Sequence, residues 1–313
     1  MAGRAVHLFK VCALILIGLA YLSTAPGAES RSVAVLYPDI GGEYNSVFSS
    51  IADGITETIG TPLHRIPLSN DYSSADLANR LRNLSTKGVV ALGRRGLEAS
   101  RAVEWNGPLV LGAVIRDSSI ADKKLSGISL DPDPRPVFGY LKLLAPRVRR
   151  IHLVLNQERS GWIVERARLA ASDMGLSLVL KEVTSRREAA LAYRDVLASI
   201  DGSQDALWLP LDPDTVDETT LQLVLRAAWN DRFIAFSSTA DHAQRGVLFS
   251  VIPDYVAVGR QLGSLLQAQM RGEAAAGVRP NGELRLAVNM RTARHLGLEF
   301  SRSTEAKIGV VYQ

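Results

Sequence analysis

Short apolar runs alternate with longer amphipathic stretches along this chain, and the alternation begins twice. Residues 32–37 form a valine-rich run with the look of a buried strand. Over 43–59, Val47, Ile51, Ile55 and Ile59 recur every fourth residue, which is one face of a helix. A strand is predicted at 63–68 and a helix over 74–86, with Ser74 as its N-cap. Apolar runs at 89–92 and 109–115 flank further helical sequence. The pattern restarts with a strand at 151–155, a helix over 162–174 closed by Gly175, and a strand at 176–183. A helix at 186–200, a strand at 206–211, a helix at 215–230 and a strand at 233–236 complete the second series. Strands that alternate with helices imply parallel sheets covered on both faces. The expected fold is therefore α/β, with two Rossmann-like lobes in tandem.

Three segments read as passages between the lobes. The first is 125–131, before the prolines at 132, 134 and 136; the second is 248–254; the third is 284–289. Between the last two, Tyr255, Val258, Leu262, Leu265 and Leu266 form a helical apolar stripe. The first lobe is expected to take 29–126 and 254–283, and the second 127–253 and 284–313.

The start of the chain bears on compartment. Arg4 and Lys10 precede an apolar run, 11–22, which is followed by small residues up to Ala28. This is the order of a secretory signal peptide, 1–28, cut after Gly27 or Ala28. The run is shorter than the roughly 20 residues of a membrane span, although a retained anchor is the competing reading. The only cysteine, Cys12, lies inside it and lacks the preceding pattern of a lipoprotein signal. A processed chain would thus have no disulfide and no thiolate chemistry. Loss of Arg4 and Lys10, with no acid, takes the formal charge from +4 to +2. With basic residues spread along the chain, that balance argues against nucleic acid as a partner. About 285 residues remain, enough for two cored lobes.

In open parallel sheets, ligands bind beyond the carboxyl ends of the strands, where loops converge. The candidates are Tyr37, Asp39, Gly93, Arg94 and Arg116 in the first lobe, and Asn156, Trp162, Asp212, Ser237 and Ser238 in the second. Each also has a structural reading. Asp39, Asp212, Asp214, Ser237 and Ser238 suit helix or turn caps, and Gly93 suits a sharp bend. Trp162 offers a wall for a ring, or ordinary helix packing. Arg94 and Arg116 offer forked contacts to a carboxylate or phosphate, or a solvated charge. The five histidines show no ligand spacing, and neither a G-x-S-x-G elbow nor a Walker loop is present. No metal, cofactor or catalytic residue is expected.

The last third of the chain carries a resemblance. Pro253-Asp254-Tyr255 with Gly259-Arg260-Gln261 resembles a segment that passes between lobes and opens a long helix; Met270-Arg271-Gly272-Glu273 resembles its end. Leu286-Ala287-Val288-Asn289, Ala293 and Leu296-Gly297 resemble a closing strand and helix. Upstream, Leu125-Ser126-Gly127, Leu155-Asn156 and Asp212 stand at matching places. The chain resembles the type I periplasmic binding proteins, in particular the ABC transporter substrate-binding family that includes tryptophan and tyrosine uptake proteins. It departs from them at Gly93-Arg94-Arg95 and Arg116-Asp117-Ser118, loops that bind ligand in that family. The resemblance implies a monomer in the periplasm. It would hold an amino-acid-like or small anionic ligand in a cleft that closes about a hinge, and deliver it to an inner-membrane ABC permease. The alternative is a sensor component of the same fold that docks on a membrane receptor.

Overall fold

A computed structural model describes residues 32–116, 120, 125–274 and 277–313. The expected signal peptide, with Cys12, lies outside the described residues, as do Asp117 and Ser118. The first series builds β1 (Ser32–Pro38), α1 (Glu43–Ile59), β2 (Leu63–Leu68), α2 (Ser74–Asn83), β3 (Thr86–Leu92), α3 (Gly93–Ala102), β4 (Leu109–Val114) and β5 (Ser126–Pro132). The second builds α4 (Pro134–Leu144), β6 (Arg150–Asn156), α5 (Gln157–Ser160), α6 (Val164–Asp173), β7 (Ser177–Val183), α7 (Arg186–Ser199), β8 (Asp205–Leu209), α8 (Glu218–Asn230), β9 (Ile234–Ser237), α9 (His242–Arg245) and β10 (Phe249–Pro253). The chain returns through α10 (Tyr255–Met270) and β11 (Val278–Asn281), then ends with β12 (Leu284–Asn289), α11 (Met290–His295), α12 (Arg302–Glu305) and β13 (Ile308–Tyr312).

Two sheets result. One has the order β11-β5-β4-β3-β1-β2 and is parallel throughout. The other has the order β13-β12-β10-β9-β8-β6-β7, parallel except between β10 and β12. That exception has a topological cause: β10 leaves the second lobe at the end where β12 enters it. β5 pairs with β4 and β11, so the first sheet runs to Pro132, past the boundary expected after Ser126.

The uninterrupted apolar runs follow from burial on both sheet faces. In β1, Val33 and Val35 pack with α1 and α10, while Ala34 and Leu36 pack on the opposite side with Leu77, Leu81 and Ala99. In β6, Leu153 and Leu155 face α4 and α6, and Val154 faces α7. Helix starts are set by side chains that accept N–H groups of the first turn. Ser73 caps α2, one residue before the expected Ser74. Asp217 caps α8, which begins at Glu218 and not at Thr215. Asp254 caps α10 by accepting the Ala257 N–H at 3.0 Å. The helix expected over 162–174 begins within a 3-10 turn at Gly161–Ile163 and continues as α6, and the short α5, not expected, precedes that turn.

Candidate ligand-binding cleft

The three crossings lie side by side and bond to one another. The Asp133 N–H donates to the Asn281 carbonyl at 2.7 Å, and the Asp254 N–H donates to the Glu283 carbonyl at 2.9 Å. Asn281 is fully buried. Its Oδ1 accepts the Glu283 N–H at 2.8 Å and its Nδ2 donates to the Glu283 carbonyl at 3.2 Å. The Tyr140 hydroxyl, from α4, donates to the Leu284 carbonyl at 2.8 Å. These bonds place the seam between the lobes at β5 and β11 of the first sheet and at β10 and β12 of the second. The strands farthest from it are β2 and β7, so the cleft opens at those two edges.

Two candidates meet across this cleft. Arg116 follows β4 and Trp162 follows β6 and α5. The Arg116 Cζ lies 4.4 Å from the centroid of the indole. A guanidinium at that distance is attracted by the ring quadrupole, by about 0.5–1 kcal/mol when exposed and ~2 kcal/mol when desolvated. Both side chains are half-buried. The Arg116 backbone is also held, since its N–H donates to Asp131 Oδ2 at 2.9 Å. Asp131 is buried in β5, and that burial pushes its carboxyl up to about 6, against the lowering effect of the Arg116 N–H bond.

The other second-lobe candidates turn their polar groups into the protein. Asn156 Oδ1 accepts the N–H groups of Glu158 and Arg159 at 3.0 and 3.2 Å and so caps α5. Asp212 is 2% exposed. Its Oδ2 accepts the Asn156 N–H at 3.0 Å and the Ser160 hydroxyl at 3.1 Å, and its Oδ1 accepts the Asp214 N–H at 3.0 Å. The carboxylate thus ties the turn after β8 to the segment that carries Trp162. Asp214 pairs with Arg159 at 2.8 Å across the same junction. Ser237 is fully buried; its hydroxyl lies 2.8 Å from His242 Nδ1 and accepts the Thr239 N–H at 3.0 Å. Ser238 accepts the buried Trp208 indole N–H at 2.9 Å.

In the first lobe, Gly93 opens α3 directly after β3. Its φ of +69° makes a turn that a Cβ would strain, and the Cβ would meet the Pro38 ring at 3.5 Å. Arg94 and Arg95, expected in a loop, therefore belong to the first turn of α3. Arg94 is exposed, whereas Arg95 donates to the Leu68 carbonyl at 3.3 Å. Tyr37 lies 5.7 Å from Phe48, ring to ring, and Asp39 is exposed beyond β1. These two line a cavity of about 370 Å³ with residues of α1 and β2. Among the described residues no group of histidine, cysteine or carboxylates is placed to hold a metal ion, and no helix is long and apolar enough to cross a membrane.

A family model described as ABC transporter substrate binding protein matches residues 106–307, from before β4 to beyond α12. The chain belongs to this family. Solved structures agree on the fold. A ligand-free, open substrate binding protein with adhesive properties from Clostridium difficile superposes with a TM-score of 0.62 at 16% identity, covering 90% of this chain and 99% of that one. The ABC domain from Streptococcus pneumonia in complex with L-Trp gives 0.55 at 19% identity, over 90% and 99%. A conserved domain protein from Vibrio cholerae gives 0.53 at 17%, over 90% and 100%. No match was found among curated proteins. The family is one of binding proteins, not enzymes. Its description implies a small-molecule ligand and a membrane permease as partner.

Sequence reasoning missed Asp131, Ser160 and Arg159. Asp131 sits near the end of an apolar strand and gives no local signal. Ser160 and Arg159 matter only because β6 and β8 are neighbours in the sheet.

Proposed function

We propose that this protein is an exported, monomeric binding protein that takes a small molecule bearing a carboxylate or phosphate between its lobes. It hands that molecule to an inner-membrane ABC permease and does no chemistry on it. The observation that carries the reading is the Arg116–Trp162 contact at 4.4 Å, because it brings the two lobes together at the carboxyl ends of their strands. The N–H donors of a guanidinium lie in its own plane, at its edge, so contact of the cation with an indole does not consume them. Its edge remains open to two anionic oxygens, a stronger contact than a neutral hydrogen bond. Among the described residues no carboxylate forms a side-chain ion pair with Arg116, whereas Arg150, Arg159 and Arg245 each have one. The basic, apolar, small-residue order of 1–28 supports export.

The test is native mass spectrometry of protein purified from periplasm, followed by a thermal-shift panel of amino acids, small organic acids, nucleosides and sugars. Anionic or zwitterionic compounds are expected to raise the midpoint. Stabilisation by neutral sugars or nucleosides alone would overturn the anion assignment. Amino-terminal sequencing of the exported protein should begin at Ala28 or Glu29.

A further inference from the structure

The cavity of about 370 Å³ beside Tyr37 and Asp39 occupies a particular place. It lies over β2, the edge strand farthest from the seam, and at the carboxyl end of β1. It is therefore on the first lobe, at the edge away from the crossings and beside the carboxyl end of β1. Its walls are the Tyr37 and Phe48 rings, 5.7 Å apart and inclined at 34°. Its polar groups are Asp39, Asn45, Ser49 and Arg65. Arg65 is already neutralised: it pairs with Asp53 at 2.6 Å and donates to the Ser49 hydroxyl at 3.2 Å. Among the described residues no cation pairs with Asp39. The net charge offered by the lining is thus one carboxylate beside two aromatic rings. That combination suits a protonated amine or guanidinium, which gains a charged hydrogen bond from the one and quadrupole attraction from the other.

We infer that this recess is a second subsite of the cleft and takes a cationic arm of the ligand. Resting on the anion reading of Arg116, this makes the ligand two-ended: a carboxylate toward Arg116 and a side-chain amine or guanidinium beside Asp39. Basic amino acids are the class that fits. The recess would then discriminate among amino-acid-like ligands by their side chain, while Arg116 and Trp162 handle the end common to all.

The experiment is titration calorimetry with L-lysine, L-arginine, L-leucine and L-glutamate on the wild-type protein, Asp39→Asn and Asn45→Arg. Asp39 and Asn45 are exposed, so neither change disturbs the core. Lysine or arginine should bind more tightly than leucine and glutamate. Asp39→Asn should weaken them by about tenfold or more, the scale of a lost charged hydrogen bond. Asn45→Arg places a competing cation in the recess and should do the same. Leucine affinity should change by less than about twofold, the range of surface substitutions. If leucine or glutamate binds while lysine and arginine do not, the recess assignment falls and the anion reading stands. Equal losses for lysine and leucine in both variants would also overturn it. If no compound of the four binds, the basic-amino-acid class is wrong, and a thermal-shift response to other anions decides whether Arg116 still stands as the anion site.

Discussion

At the scale of single residues, Arg116 joins two observations: its side chain lies on Trp162 and its backbone is bonded to a buried aspartate. Lysine in its place would keep the charge but lose both the planar donor pair and the stacking face. Arg116→Lys should therefore raise the dissociation constant of a carboxylate ligand by about tenfold or more, read by calorimetry. Arg226→Lys, on the exposed side of α8, should leave it unchanged. Asp131 makes a separate prediction through pH. Its carboxyl is pushed up to about 6 by burial, so the folded state favours the protonated form. The stability this contributes is fully present below the ordinary carboxylate pKa of about 3.8 and is lost as pH rises through about 6. Asparagine keeps an acceptor for the Arg116 N–H and does not titrate. Over pH 4 to about 6.5, the wild-type midpoint should fall relative to that of Asp131→Asn in thermal denaturation. Parallel curves across that window would show that Asp131 does not titrate there.

At the scale of elements, the pairing of α1 with α10 shows how the returning helix is anchored. A Cβ on Gly259 would lie 2.1 Å from the Ile51 carbonyl oxygen, and one on Gly54 would lie 2.0 Å from that of Val256. The two helices cross backbone to backbone, and only glycine permits it. Gly259→Ala must push them apart, which should cost about 1–3 kcal/mol as overpacking. For a chain of this size that is a fall of several degrees in the midpoint, at roughly 2–4 °C per kcal/mol. Gly139 in α4 meets nothing within 4 Å, so Gly139→Ala is the contrasting case. Better helix propensity should make it neutral or stabilising, by up to about 1 kcal/mol. The turns at the carboxyl ends of β6, β8 and β9 behave alike. Asn156, Asp212 and Ser237 fix the loops from within, so that Trp162 stands at the lobe surface.

At the scale of the whole molecule, three segments join the lobes; backbone bonds from Asp133 to Asn281 and from Asp254 to Glu283 tie them together, and the Asn281 amide shapes the third segment by bonding both polar groups of the Glu283 backbone. The proposed closure would rotate one lobe against the other about this seam, the hinge type of domain motion. Asp76 and Glu182 are exposed and lie near the carboxyl ends of β2 and β7, on opposite lips of the cleft. Cys12 is the only cysteine, so spin labels at Asp76→Cys and Glu182→Cys in a chain made without residues 1–28 would report one distance. Ligand should shorten and narrow that distance in pulsed electron resonance. Asn281→Ala should broaden it without ligand, since the Glu283 N–H loses its acceptor and the Glu283 carbonyl keeps only the Asp254 N–H. An unchanged distance on ligand binding would exclude closure.

The sequence determined the elements and their class. Runs such as Val33–Leu36 must be buried on two faces, and Val47, Ile51, Ile55 and Ile59 must share one, whatever their neighbours are. The two series of strands and helices and the crossing near Asp254 were legible in outline, and Arg116 and Trp162 were each legible as candidates, but not that the two would lie against each other. The roles of Asp212, Ser237 and Ser238 were not. An aspartate at a strand end reads the same whether it faces a ligand or the next loop. Only the adjacency of β6 and β8 brings Asn156 and Ser160 onto Asp212. Asp131 was hidden for the same reason: its partner, the Arg116 N–H, is supplied by the strand beside it. Periodicity is a property of residues near in sequence, and chain order alone carries it. Hydrogen-bond satisfaction, electrostatic burial and the recess between α1 and β2 depend on residues distant in sequence, and those were decided by the tertiary fold.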